Sequence, residues 1–483
     1  MSGTSLIKQF KMTEELVNAR MVLFDKYLDR GKLTHQQYQK DGVRWILTNE
    51  LTSDPVCGVR GGFIADEMGL GKTIMMIGTM LANFVERTLI IVPPVLLDQW
   101  FVQIARTTGH QALIYHGDSK KSISHTELEA AKIVISTYGA ITMTNSMKQN
   151  KKLTNLHKVA WGRIIFDEAH HLRNSNTNLY FGAKLLRANI RWLVSGTPIQ
   201  NRKQDFYNLC GMIRLPASFY TESDNLKLLA RSFIMKRTKK QVGIILPDVV
   251  QDKNIVDWAD NREKELSEEL HSALMFSNVR GKGKGLPFGG VLPAILKARQ
   301  SCILPRLLSN KVGYSEYNEA FNCSSKLDYA VGKILERKGN GSGKIIFCHF
   351  REEIDEIATR LKAGGMTSVA TFDGRTSDSK RADILSLGHE ALILQIQTGC
   401  EGLNLQEHYS EIYFISPHWN PAVEDQAIAR CHRIGQKKQV YVERFEMCKF
   451  EPEEDQQVDT INIEKYVNLT QANKREIARE YIE

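Results

Sequence analysis

Short apolar runs alternate with amphipathic stretches along the chain, and the alternation occurs in two separate regions. In the first region the runs end in proline, glycine or polar residues, and they lie at 88–94, 112–117, 133–138, 163–168 and 192–196. Stretches with helical periodicity, such as 74–81 and 96–106, separate them. Short buried runs between helices are typical of parallel strands. The pattern therefore predicts an α/β sheet with helices on both faces.

The second region repeats the pattern, with predicted strands at 344–350, 369–374, 392–396 and 412–415. Residues 203–235 and much of 255–325 have helical character instead. We predict a helical lead-in at 1–32 and an ATP-binding lobe at 33–245 with a helical insertion at 203–235. A linker with a helical insertion follows at 246–325, then a second lobe at 326–450 and a C-terminal helix at 451–483. The fold class is thus α/β, with two lobes.

A phosphate-binding loop at residues 66–73 follows an apolar run that contains Phe63 and Ile64. Its glycines let backbone N–H groups approach phosphate oxygens, and the following helix adds a positive dipole end. Lys72 is predicted to contact the β- and γ-phosphates and Thr73 to ligate Mg²⁺. Asp66 stands where the usual pattern begins with glycine. The predicted ATP-binding residues are Gln39, Asp66, Glu67, Met68, Gly69, Leu70, Gly71, Lys72 and Thr73.

Two adjacent acids end the apolar run at 163–166. Because the carboxyl ends of parallel strands form the ligand edge of such a sheet, Asp167 and Glu168 are predicted to lie there. Asp167 would hold Mg²⁺, and Glu168 would orient the attacking water. His170 is predicted to relay between Glu168 and later motifs. Gln200, in the turn at 195–201, joins the catalytic candidates.

Three further residues complete the predicted ATP site. The Gln39 amide can recognise adenine bidentately. Arg430 and Arg433 are three positions apart in a predicted helix over 425–436, so they share one face. Two planar cations suit stabilisation of a γ-phosphoryl group, although surface salt bridges are the alternative. The second region has no phosphate loop of its own, which favours a role toward ATP on the first lobe.

The composition favours a polyanionic partner. The 483 residues carry a formal net charge of +9, which points first to nucleic acid. The Gly/Lys stretch at 280–287 could contact a phosphate backbone or form a plain solvated loop. Eight scattered cysteines without a Cys-x-x-Cys pair indicate free thiols in a reducing compartment and give no support for a zinc ribbon. No apolar run is long enough for a membrane span, and no signal peptide is predicted.

These motifs together resemble the helicase-like ATPases of superfamily two, within them the SWI/SNF type. The residues that carry the resemblance lie at 66–73, 167–170, 195–201, 419–421 and 426–436. The resemblance runs in order from about residue 33 to 450. It implies two RecA-like P-loop NTPase lobes with ATP between them and DNA across both, and a bare, monomeric motor without bromodomain or chromodomain.

The resemblance also implies the DNA-facing segments, which are 93–94, 136–137, 373–376 and 398–404. Three positions depart from the family pattern: Cys400 and Glu401 stand where glycine is frequent, and Ser416 stands where aspartate is common. The implied function is an ATP- and Mg²⁺-dependent double-stranded DNA translocase. It would remodel nucleosomes or displace other proteins, in the nucleus or at a cytoplasmic replication site if viral. Alternatives are a polymerase-associated ATPase, a strand-separating helicase and a DNA-binding scaffold.

Overall fold

The chain divides into two compact units, Met1–Ile245 with Ile477–Glu483 and Leu246–Glu476. The computed structural model describes residues 3–149, 153–196, 203–272, 274, 288–309, 317–399, 403–450 and 462–482. Gln200 and the Gly/Lys stretch at 280–287 lie outside the described residues, as does part of 398–404. The predicted domain bounds stay predictions.

The first unit is built on a parallel sheet of seven strands in the order β3-β4-β2-β5-β6-β1-β7. The strands are β1 Arg60–Ile64, β2 Thr88–Val92, β3 Leu113–Tyr115, β4 Ile133–Thr137, β5 Ala160–Asp167, β6 Arg187–Val194 and β7 Ile234–Met235. Alternate side chains of a strand point to opposite faces. Phe63 accordingly belongs to one apolar core cluster and Ile64 to another.

Helices cover both faces of this sheet. They are α1 Gly3–Arg30, α2 Gln37–Leu51, α3 Lys72–Ala82, α4 Leu97–Thr108, α5 His125–Ala130, α6 Tyr138–Ile141, α7 Asn145–Gln149, α8 Asn155–Lys158, α9 Asn178–Leu185, α10 Lys203–Met212, α11 Ala217–Tyr220 and α12 Leu226–Phe233. The long α1 packs on α2 and α3. Gly78 of α3 admits the Phe24 ring, since a Cβ there would lie 2.3 Å from that ring.

The second unit has a six-stranded parallel sheet in the order β10-β11-β9-β12-β13-β8. Its strands are β8 Val249–Val256, β9 Gly343–Cys348, β10 Val369–Phe372, β11 Ala391–Gln395, β12 Tyr409–Phe414 and β13 Val440–Met447. Its helices are α13 Asn261–Ser272, α14 Phe288–Ile303, α15 Ser325–Glu336, α16 Arg351–Ala363, α17 Asp378–Leu387, α18 Ile396–Gly399, α19 Pro421–Ile428 and α20 Ile463–Ile482. The last six residues of α20 belong to the first unit's segment.

Two parallel sheets flanked by helices confirm the predicted α/β class with two repeats of the pattern. Residues 3–30 of the predicted helical lead-in form α1, and every apolar run given above overlaps a strand. Three strands, β7, β8 and β13, were not predicted. No helix among the described residues is both long enough and apolar enough to cross a bilayer.

Candidate active site

The register of the sheet brings the phosphate loop and the acidic pair to one edge. Ile64, the last residue of β1, pairs with Val194 of β6, and Asp167, the last residue of β5, pairs with the same Val194. The three strands therefore end at the same level. Residues 65–71, Asp167 and Glu168, and the turn that starts at Ser195 all leave the sheet there, which is the edge where α/β proteins bind ligands.

The phosphate loop has the backbone that its glycines allow. Gly69 has φ of 91° and Gly71 has φ of 78°, both in the left-handed region that disfavours side chains. A Cβ on Gly71 would also lie 2.3 Å from Nε2 of Gln39. Gly71 is the N-cap of α3, and as a glycine it has no side chain that could cap the helix. The N-terminus of α3 therefore has the backbone of an anion-binding helix end.

Lys72 lies at the start of α3 with its amino group turned over the loop. Its Nζ donates to the carbonyl oxygen of Asp66 at 2.7 Å and to that of Glu67 at 3.4 Å. A Cβ built on Gly196 would lie 3.5 Å from the same Nζ, so the turn after β6 comes close to Lys72. The ammonium group thus lies between two of the predicted motifs, at the helix end that favours negative charge.

Asp167 is buried and held by two donors. Its Oδ2 accepts from Nε1 of Trp100 at 2.7 Å, and its Oδ1 accepts from the backbone N–H of Glu168 at 3.0 Å. Burial and the charge of Glu168 raise the pKa of Asp167 to about 7, against the opposing effect of Lys72. A buried carboxylate whose negative charge is only partly compensated fits a divalent cation, because the ion would supply the missing positive charge.

Glu168 and His170 form a short polar chain behind Asp167. Glu168 has φ of 50°, a left-handed conformation that is uncommon for a residue with a side chain and recurs at functional sites. Its Oε2 lies 3.3 Å from Nδ1 of His170. The same Nδ1 lies 3.4 Å from Oγ of Ser195. The geometry agrees with a relay from Glu168 through His170 to the turn after β6, and the roles stay predictions.

Gln39 lies against the phosphate loop. It belongs to α2 and is buried, and its Nε2 donates to the carbonyl oxygen of Leu70 at 3.3 Å. Its neighbour Tyr38 places a hydroxyl 3.4 Å from the same Nε2. The candidate adenine-recognition residue is therefore joined to the candidate phosphate site by a direct hydrogen bond.

The side chains of Asp66 and Glu67 are engaged by basic residues that follow β7. Asp66 is buried and accepts two hydrogen bonds from Arg237, at 3.1 and 2.5 Å. Glu67 accepts from Nζ of Lys239 at 2.8 Å and from its backbone N–H at 2.8 Å. Contacts of these two loop residues to phosphate would therefore come from their backbone. Sequence reasoning missed Trp100, Arg237 and Lys239.

Only some of these omissions had a signal in the sequence. The basic cluster at 236–240 was visible, but nothing in it named Asp66 as a partner 171 positions away. Of the other predicted residues, Met68 lies 3.2 Å from a Cβ built on Gly196, and Leu70 is fully buried. Thr73 is the second residue of α3.

The helix predicted over 425–436 is wrong in its extent. Helix α19 ends at Ile428, and Arg430 and Arg433 lie in successive turns beyond it. Buried Gln436 fixes these turns by donating to three carbonyl oxygens, those of Gln406, Cys431 and Tyr409. Gly435 bends the chain with φ of 100°. The two arginines therefore share no helical face.

The two arginines remain electrostatically close within the second unit. Burial and the charge of Arg430 both lower the pKa of the Arg433 guanidinium. Arg433 also donates from Nη1 to Oδ1 of Asn404. A cation held in this way is oriented before any ligand arrives, which is a property that a transition-state cation requires.

Two family models match the chain in order. The SNF2-related domain matches residues 38–307, and the helicase conserved C-terminal domain matches residues 325–435. The chain belongs to the SNF2-related family. The predicted resemblance to SWI/SNF-type ATPases of helicase superfamily two is thereby confirmed, as is the prediction of a helicase-like ATP hydrolase. The SNF2-related match begins at Tyr38, immediately before Gln39, and it covers the phosphate loop and the acidic pair.

Curated relatives of this SNF2-related chain are viral, bacterial and eukaryotic. A probable global transactivator of Orgyia pseudotsugata multicapsid polyhedrosis virus is 28% identical over 84% of this chain and 85% of its own length. An uncharacterized ATP-dependent helicase of Mycoplasma pneumoniae is 29% identical over 94% of this chain and 43% of its own. The ATP-dependent DNA helicase DDM1 of Arabidopsis thaliana is 26% identical over 85% and 58%. The chain thus spans about half of the two cellular relatives.

A solved structure gives a further comparison. The Sulfolobus solfataricus SWI2/SNF2 ATPase core in complex with dsDNA is 24% identical, covers 93% of both chains and has a TM-score of 0.39.

Proposed function

We propose that this protein is a double-stranded DNA translocase that couples ATP hydrolysis to movement along DNA and so displaces bound proteins or remodels nucleosomes. The observation that carries the proposal is the meeting of Lys72, the acidic pair Asp167 and Glu168, and the Ser195–Gly196 turn at one sheet edge. Family membership supports ATP use. The net charge of +9 supports a polyanionic track.

The chain's own residues divide the work of hydrolysis. The loop amides and Lys72 bind the phosphates, and Gln39 holds the adenine. Thr73 and Asp167 would hold Mg²⁺, which when bound neutralises phosphate charge. Glu168 orients the attacking water and accepts its proton, with His170 fixing the Glu168 side chain. Arg430 and Arg433 stabilise the charge that develops on the transferred phosphoryl group.

The decisive experiment compares ATP turnover with double-stranded DNA, single-stranded DNA and RNA at equal nucleotide concentration. We expect double-stranded DNA to stimulate most. Lys72→Ala should abolish turnover in a folded protein, because Lys72 contacts phosphates and supports no apolar core. Turnover equal to the wild type in folded Lys72→Ala would overturn the phosphate assignment, and equal stimulation by RNA would overturn the DNA assignment.

A salt titration tests how the DNA is held. No base-reading motif was found in the sequence, so contacts to the phosphate backbone should dominate. The logarithm of the affinity should then fall linearly with the logarithm of salt concentration, with little dependence on base sequence. An affinity that ignores salt or prefers one sequence strongly would contradict backbone tracking.

A second candidate is an ATPase that acts with a polymerase in transcription. The relative named as a probable global transactivator favours it, since this chain covers 85% of that protein. Displacing a third strand from a triplex measures translocation without strand separation, and unwinding of a forked duplex measures separation. Triplex displacement without unwinding supports the translocase, while unwinding alone supports a strand-separating helicase. Stimulation that requires an added polymerase supports the second candidate.

A further inference from the structure

One guanidinium group joins two parts of the candidate nucleotide site, the phosphate loop and the start of α2. Arg237 follows β7 by two residues. Its Nε and Nη2 donate to the two carboxylate oxygens of Asp66 in the phosphate loop, at 3.1 and 2.5 Å. Its Nη1 donates to the carbonyl oxygen of Tyr38, the residue before Gln39. A planar fork can make these contacts at once, which a lysine ammonium cannot.

Glycine in the middle of α2 makes room for this group. A Cβ on Gly42 would lie 2.7 Å from Nη2 of Arg237 and 2.7 Å from Sδ of Met75. Glycine inside a helix is costly relative to alanine, so its presence here has a packing reason. The guanidinium also lies 5.9 Å from the centre of the Tyr38 ring, a cation–π distance. It is therefore enclosed by α2, the phosphate loop and α3.

The contact to Tyr38 fixes the start of α2 relative to the phosphate loop. Gln39 is the next residue, and its amide donates to the Leu70 carbonyl within that loop. Hydrogen bonds from two side chains thus join α2 to the phosphate loop. One side chain is Gln39, whose amide would contact the base, and the other is Arg237, which α2, the loop and α3 enclose. Without the Arg237 hydrogen bonds, the Gln39 amide loses its fixed position relative to the phosphates.

We propose that Arg237 is a positioning residue that sets the preference of the nucleotide site for adenine, by holding Gln39 in place over the phosphate loop. The proposal rests on the ATP site of the proposed function. It concerns selection of the base, because Lys72 and the loop amides remain available to the phosphates when the contact to Tyr38 is lost.

The test compares Arg237→Lys with the wild type. Lysine keeps a positive charge beside the buried Asp66 carboxylate but cannot reach the Tyr38 carbonyl at the same time. The readouts are kcat/KM for ATP and for GTP with saturating double-stranded DNA, and the inhibition constant of inorganic triphosphate. The ATP-to-GTP ratio should fall about five- to tenfold, the effect of one lost positioning hydrogen bond. The triphosphate constant should stay unchanged, and the ratio is independent of the fraction of folded enzyme.

Two further variants and a control sharpen the test. Gly42→Ala should reproduce the loss of selectivity without changing the residue at position 237, since the added methyl group would occupy the space of the Arg237 guanidinium. Gln39→Ala should abolish the preference, and the double variant with Arg237→Lys should be no less selective than Gln39→Ala alone. Lys240→Ala, at an exposed position in the same basic segment, is the matched control and should keep the wild-type ratio.

The outcomes separate this inference from the function it rests on. A wild-type ratio in Arg237→Lys, or equal losses for ATP, GTP and triphosphate, would overturn the positioning role while leaving the ATPase intact. A wild-type protein that binds none of the three compounds would overturn both, before any variant is made.

Discussion

The two units differ most clearly in how each treats the start of a helix that follows a parallel strand. In the first unit, residues 65–71 separate β1 from α3, and the N-cap residue of that helix is Gly71, which has no side chain. In the second unit, only His349 and Phe350 separate β9 from α16. Their backbone N–H groups donate to one carboxylate oxygen of Glu353, at 2.8 and 2.9 Å.

The comparison gives a physical reason for placing the candidate nucleotide site in the first unit. A helix N-terminus favours a negative charge in both. The second unit places a carboxyl group of its own at that position, the buried Glu353 in the first turn of α16. The first unit uses a longer loop with two left-handed glycines, a backbone that suits an anion from outside the chain. What the second unit offers instead is cations, Arg430 and Arg433.

The largest expected effect tests this division of labour. Arg433→Ala should lower DNA-stimulated turnover by about 10³–10⁵, the range for loss of an arginine finger. Nucleotide affinity should change little because Lys72 and the loop amides remain, and DNA affinity should change little too. Turnover at saturating DNA alongside nucleotide binding is the measurement.

The matched control for Arg433 is Lys437→Ala. Lys437 is exposed four positions away, so its loss removes a similar charge from the same surface and should leave turnover unchanged. Full stimulated turnover in Arg433→Ala would exclude Arg433 as a transition-state cation and would leave Arg430 alone in that proposed role.

A second prediction applies the same substitution to a carboxylate in each unit. Glu168→Gln should lower turnover by about 10²–10⁴, since the amide keeps the shape but cannot accept the proton. ATP should stay bound, as a filter assay would detect. Glu353→Gln should leave turnover unchanged, because Glu353 caps a helix in the unit without a phosphate loop. Fast release of product from Glu168→Gln would exclude Glu168 as the base.

Sequence reasoning succeeded where local pattern decides structure. Apolar runs predicted buried strands, and the glycines at 69 and 71 predicted a turn between strand and helix, because both depend on neighbouring residues. It failed where distant groups decide. Strand β8 lies at a sheet edge and is rich in polar residues, so it lacks an apolar run. The chain leaves the helix before Arg430 because the Gln436 amide donates hydrogen bonds to carbonyl oxygens up to 30 positions away.

A third prediction concerns the buried charge behind the first unit's sheet. Arg163 is fully buried, and it donates to both carboxylate oxygens of Glu50, at 2.8 and 2.5 Å. Arg163→Met should destabilise the first unit by about 3–5 kcal/mol, since it leaves an uncompensated buried carboxylate. The double variant with Glu50→Gln should recover much of this loss. Hydrogen exchange of β5 and β6 reports the effect, and additive losses would contradict the pairing.

The smallest expected effect is a pH dependence of stability that arises from Glu353, at the start of α16. Burial raises the pKa of Glu353 from its ordinary 4.5 to about 7, against the two amide hydrogen bonds and the charges of Arg299 and Lys326. Between pH 4.5 and about 7, the Glu353 carboxyl group is therefore protonated in the folded chain and ionised in the unfolded chain. Protonation of Glu353 therefore stabilises the fold fully below about pH 4.5, and this contribution is lost as the pH rises through about 7.

Glu353→Gln removes this dependence, because an amide does not titrate. Relative to the wild type, the variant should gain stability as the pH rises from 5 to 8, by about 2–3 kcal/mol in total. Thermal unfolding of both proteins at several pH values measures the difference, which cancels the titration of all other groups. A difference that stays constant with pH would mean that Glu353 is already ionised in the folded protein. The second unit would then carry an ionised carboxylate at the start of α16, where the first unit is proposed to bind a phosphate at the start of α3. Both helix ends would have a negative charge beside them, although the burial of Glu353 disfavours that charge.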